Sequence, residues 1–157
     1  MHNFQVKELV WKSKTLTDRG RYAQESEFGA DFLGTLDIDL DDYQTTKGFL
    51  AQAKMSNNLN ATELDRLRCQ CSQMLEHTAE AFVFLYDEDG VRIVPARAVV
   101  GTNLDPTEQH SRSVQSFFED HFECFIGDQR ISSATPRQLD ELRTRFDSRS
   151  LLYLRLE

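Results

Sequence analysis

The segment Glu25–Lys54, ESEFGADFLGTLDIDLDDYQTTKGFLAQAK, decides how this chain folds. Along Ala30–Leu40 the residues Phe32, Gly34, Leu36, Ile38 and Leu40 fall on one side of an extended strand. Asp31, Leu33, Thr35, Asp37 and Asp39 fall on the other, because side chains two apart share a face. Asp41-Asp42-Tyr43-Gln44 reads as a turn, and Lys47–Lys54 as the returning arm. The first arm is expected to be half-buried, with its acids turned to water. A turn centred near Asp41–Asp42 sets Asp31 opposite Gln52 and places Gln52 and Lys54 on the same face. Gly29 and Gly34 bracket the start of the hairpin, where glycine marks a bulge or a close backbone approach.

Outside the hairpin the signals alternate between strand and helix. Asn3–Leu16, with Phe4, Leu9, Val10 and Trp11, fits a short helix or a strand. Asn60 is placed to cap a helix over about 61–78, with Glu63 at the third position as in a capping box. That helix carries Leu64, Leu67, Cys71, Met74, Leu75 and Thr78 on one stripe. Ala81–Tyr86 is a continuous apolar run of the buried-strand kind. Asp87–Gly90 turns it back into Val91–Val94, which Pro95 ends. A helix is expected over Ser113–Cys124, with Phe117, Phe118, Phe122 and Phe125 as core or as a partner-facing stripe. Thr135-Pro136 opens another, carrying Leu139, Leu142 and Phe146. Ser150–Leu156 reads as a final strand. The expected class is α+β: a central mixed β-sheet with a hairpin, flanked by helices. At 157 residues the chain is expected to be one domain, with a core of about 25–100 and an extension over 101–157.

Composition narrows the function. Hydrophobic residues make up 39% and charged residues 28%, as in water-soluble chains, and no apolar run approaches the length that spans a bilayer. No charged and then apolar N-terminal stretch marks a secretory signal. Three cysteines, Cys69, Cys71 and Cys124, are too few for a disulfide scaffold and point to a reducing, cytoplasmic setting. Cys69 and Cys71 diverge on a helix, and no second Cys/His pair completes a zinc site. Asp37, Asp39, Asp41 and Asp42 lack the glycine and distal glutamate of a calcium loop. His77 fits the C-terminal end of its helix. The net charge of −8 opposes tight non-specific binding of nucleic acid. Basic residues nevertheless gather at Lys7, Lys12, Lys14, Arg19 and Arg21, and at Arg130, Arg137, Arg143, Arg145, Arg149 and Arg155.

The residues brought together by the hairpin suit metal-assisted phosphodiester hydrolysis. Mg²⁺ favours oxygen ligands and can both activate water and offset phosphoryl charge. Asp31 would be the fixed carboxylate, Gln52 would offer its amide oxygen, and Lys54 would orient the water or neutralise the phosphate. Asp31 followed about twenty residues later by Gln52-Ala53-Lys54 resembles the PD-(D/E)XK nuclease superfamily, in the Mrr-type branch where glutamine replaces the acid. Gly29-Ala30-Asp31 and Phe49-Leu-Ala-Gln-Ala-Lys54 carry the fullest match, and Glu25–Val94 is the matching core. The resemblance implies a restriction-endonuclease-like fold, a Mg²⁺ or Mn²⁺ cofactor and DNA as substrate. It also implies an endonuclease that acts as a homodimer or as a subunit of a larger assembly, in defence against foreign DNA. Neutral Gln52 removes one charge, so Glu27 or Glu25 is expected to supply the missing carboxylate. Gln70 or Gln73, on the helix after the lysine strand, would face the site as an auxiliary group. The alternative is a catalytically inactive nuclease-fold module used for nucleic-acid binding or protein assembly.

Overall fold

A computed structural model describes residues 9–15, 30–131, 141 and 150–156 of the chain. Glu25, Glu27 and Gly29, and the helix expected from Thr135-Pro136 with Leu139, Leu142 and Phe146, lie outside the described residues. The described part is mixed α and β. Strands β1 (Leu9–Thr15), β2 (Phe32–Leu40) and β3 (Tyr43–Met55) precede helix α1 (Ala61–His77). Then come β4 (Ala81–Asp87), β5 (Gly90–Pro95), α2 (Ala96–Gly101), β6 (Arg112–Ser113), α3 (Val114–Phe122) and β7 (Ser150–Leu156). One seven-stranded sheet runs in the order β1-β7-β2-β3-β4-β5-β6. The pairs β2–β7 and β3–β4 are parallel and the others antiparallel. No described helix is long and apolar enough to cross a membrane.

The hairpin forms where the sequence places it, but its turn is tighter. Leu40 pairs with Tyr43, so Asp41-Asp42 alone make the turn and Tyr43-Gln44 already belong to β3. Gly34 stands opposite Phe49, and a Cβ on Gly34 would lie 2.2 Å from that ring. The glycine therefore serves a close approach rather than a bulge.

Helices cover both faces of the sheet. Leu33, Leu50, Val83, Leu85 and Val94 pack against Leu67, Cys71 and Met74 of α1 and Ala96 and Val99 of α2. On the opposite face Phe49, Ala51, Phe82 and Ile93 pack against Phe117 of α3. The Phe49 ring meets those of Phe32, Phe82, Phe84, Phe117 and His121. Each such pair contributes about 0.5–1.5 kcal/mol beyond the area it buries.

Three expectations are corrected. Strand β2 is not half-buried: Leu33 through Ile38 are all buried, including Thr35 and Asp37. Asp37 does not point into water. It accepts a hydrogen bond from the Tyr153 hydroxyl at 3.1 Å and lies 3.7 Å from Arg155, because β7 runs beside β2. Residues 96–101 form α2, a helix too short for its periodicity to show. Finally, α3 ends at Phe122, so Phe125 falls beyond it and stands 76% exposed. Of the two possibilities for the first segment, Leu9–Thr15 is a strand.

Candidate functional site

Asp31 and Gln52 meet where β2 begins, and Lys54 lies two residues further along β3, near its end. Register carries Asp31 there: Phe32 pairs with Ala51, and the Asp31 amide donates to the Ala51 carbonyl at 2.9 Å. Its carboxylate oxygen Oδ2 accepts from Gln52 Nε2 at 2.5 Å and from the Ala53 amide at 3.0 Å. One carboxylate thus bridges the two arms of the hairpin. Gln52 itself is buried.

The amide of Gln52 has a definite sense. Its nitrogen faces the carboxylate, and its Oε1 is buried with no hydrogen-bond partner. Turning the amide over would bring two oxygens together at hydrogen-bond distance, an arrangement that a cation between them would stabilise. An orphaned buried carbonyl costs about 1–3 kcal/mol. The donor set of Asp31 carboxylate and Gln52 amide oxygen is of the hard-oxygen kind that Mg²⁺ and Mn²⁺ take. These residues fit such an ion, with the amide turned over to present its oxygen. Among the described residues no three of His, Cys, Asp and Glu gather as a metal-holding group. Glu25 and Glu27, the acids expected to add charge, lie outside the described residues.

Lys54 follows Gln52 by two residues and so faces the same side of β3, toward α1. Its Nζ lies 3.7 Å from Glu63 Oε2. Glu63 was expected as the returning half of a capping box, and the structure corrects this. Asn60 Oδ1 does accept from the Glu63 amide at 3.0 Å. The Glu63 side chain, however, reaches Lys54 and Arg66, and the Asn60 amide donates to Asn58 instead. The sequence offers one signal for this pairing. A helix entered directly after a strand brings its first turn back beside the strand end, so an acid there meets a basic residue on that end.

Of the two glutamines on α1, Gln70 lies seven residues after Glu63, on the same side of the helix about two turns along. Its Oε1 is buried and has no hydrogen-bond partner. Gln73 is turned about 80° from the Glu63 direction. Cys71 is a core residue: burial pushes its thiol up to about 12, opposed by the Lys54 ammonium. A polar depression of about 600 Å³, lined by Asn57, Asn58, Leu59, Asn60 and Glu63, opens beside the lysine–glutamate pair. It lies past the C-terminal end of β3, whose neighbour β4 runs parallel to it. Ligands commonly enter open sheets outside the carboxyl ends of parallel strands.

Compared with protein-family models, with curated proteins and with solved structures, the chain matches none.

Proposed function

We propose that this chain is a restriction-endonuclease-like, metal-dependent DNA endonuclease of the PD-(D/E)XK type, with Asp31, Gln52 and Lys54 at its centre. One observation carries the reading. A single carboxylate is clamped by the amide of Gln52 and the backbone of Ala53, with an ammonium two residues further along the same face. The mixed sheet and the helix that follows the lysine strand add support. Asp31 and Gln52 would hold Mg²⁺ or Mn²⁺, with Glu25 or Glu27 as the auxiliary acid. The ion, when bound, supplies Lewis-acid stabilisation and an activated water. Lys54 holds positive charge over the scissile phosphate, and Glu63 fixes where that charge sits. Pairing of two copies, as needed to cut both strands, and a setting in defence against foreign DNA belong to the same proposal.

A second reading has its own observation. Asp31 already accepts from the Gln52 Nε2 and the Ala53 amide, and Lys54 is already matched by Glu63, as in a cluster retained for stability. With neutral Gln52 and a net charge of −8 this describes an inactive module for binding or assembly. Cleavage of supercoiled and linear DNA with added Mg²⁺ or Mn²⁺ separates the two. The nuclease reading expects metal-dependent cutting that falls about 100-fold or more in Asp31→Ala and in Lys54→Ala. Cutting that survives both substitutions removes the site, and none with either metal selects the inactive module.

A further inference from the structure

A second group of chemically capable side chains gathers on the other face of the sheet. Tyr43 and Lys47 alternate with Gln52 and Lys54 along β3 and so face α3. Lys47 is 3% exposed, and its Nζ is buried without a hydrogen-bond partner. An ammonium so placed is costly unless something answers it. Its stem lies against Gly127, where a Cβ would stand 2.6 Å from Lys47 Cδ. Gly127 also adopts a left-handed φ of +124°. That glycine leaves room for the lysine to extend toward the turn after α3.

Cys124 occupies that turn. Its thiol is free and exposed, and its φ of 68° is uncommon for any residue but glycine. The Tyr43 hydroxyl lies 3.0 Å from its Sγ. Burial lowers Lys47 below the ordinary lysine range, opposed by the nearby Cys124 and then by the Glu80 carboxylate. Glu80 is held in place by the Gly127 amide, which donates to it at 3.2 Å. An exposed cysteine thus has a phenol against its thiol and a buried ammonium close by.

We infer that Cys124 is a site of oxidation by small hydroperoxides, with Lys47 and Tyr43 as its supporting groups. A sulfur electron pair attacks one peroxide oxygen, forming the S–O bond as the O–O bond breaks. The departing hydroxide, or alkoxide from an organic hydroperoxide, takes a proton from the Lys47 ammonium and leaves as water or alcohol, and the thiol proton restores Lys47. Sulfur is oxidised by two electrons to a sulfenic acid and the peroxide is reduced. Tyr43 and Lys47 then hydrogen-bond the new oxygen. This inference is independent of the nuclease reading, because Gln52 and Lys54 face away from it.

Cys69, exposed and free on α1, serves as an internal control. The test treats the folded chain with hydrogen peroxide and dimedone, which traps sulfenic acids, and maps adducts by peptide mass spectrometry. The expected result is labelling of Cys124 about tenfold faster than Cys69. Lys47→Met, an apolar replacement of similar length, should bring Cys124 down to the rate of Cys69, and Tyr43→Phe should lower it in part. In urea the two cysteines of the native chain should become equal. Equal rates in the folded protein overturn the inference, as does a folded Lys47→Met chain that labels Cys124 at the native rate.

Discussion

His121 shows what a single buried side chain imposes on the molecule. Its ring is fully buried in the phenylalanine cluster beside Phe49 and Phe117. Nδ1 lies 2.9 Å from the Ile126 carbonyl and must donate to it, since a carbonyl only accepts. Nε2 is left buried and unpartnered. Burial drives the imidazole from 6.5 down to about 4, opposed by the bond to Ile126. The unfolded chain therefore takes up a proton first as pH falls. The stabilisation is complete above about pH 6.5 and is lost as pH falls toward 4. Urea unfolding should show a loss on the order of 3 kcal/mol from this group over that interval. His121→Asn keeps a donor for Ile126 and removes the titration, so its stability should be flatter across the same range. An unchanged slope would contradict the assignment. At this scale the sequence was legible where period and register suffice. The two-residue turn and the alternation of β3 place Asp31 against Gln52. The sense of the Gln52 amide and the pairing of Lys54 with Glu63 depend on the packed helix, which alternation does not encode.

Among the elements, β2 and β7 are held together by more than their ladder. Tyr153 and Arg155 of β7 both reach Asp37 of β2, and Arg155 also lies 3.4 Å from Asp39. A buried carboxylate is costly unless donors surround it. Tyr153→Phe removes one donor and leaves the ring, so its cost isolates that hydrogen bond. The expected loss is about 1.5–3 kcal/mol in chemical denaturation, as for a hydrogen bond to a charged group. A loss below about 0.5 kcal/mol would mean that Arg155 alone satisfies Asp37. This arrangement was hidden in the sequence because Asp37 and Tyr153 are 116 residues apart. Read locally, the run of acids from Asp37 to Asp42 looks like a solvated turn, and for Asp41 and Asp42 it is one. Likewise α2 spans only Ala96–Gly101, too few residues to display a helical stripe, and Pro95 signals only where β5 stops.

For the whole molecule the sheet order matters most. Two local hairpins, β2–β3 and β4–β5, were readable from their turns and apolar runs, and α1 from its cap and stripe. The sequence identified β7 as a strand but not where it goes, since parallel pairing leaves no turn signal. It enters between β1 and β2 and is antiparallel to one and parallel to the other. A chain cut before Ser150 should therefore lose the link between β1 and the rest of the sheet, and leave Asp37 without Tyr153 and Arg155. The expected outcome is loss of the cooperative unfolding transition, measured by circular dichroism in urea. A truncated chain with a native midpoint would show β7 to be dispensable.

The place of β7 between β1 and β2 also sets an order of events during synthesis. The hairpin bearing Asp31, Gln52 and Lys54 can close soon after Met55 emerges from the ribosome. The free edge of β2, however, stays open until residues 150–156 are made, nearly a hundred residues later. An unpaired edge invites pairing with a neighbouring nascent chain. Translation speed over the second half of the message, and chaperones that cover strand edges, should therefore govern how much of this protein reaches its native state.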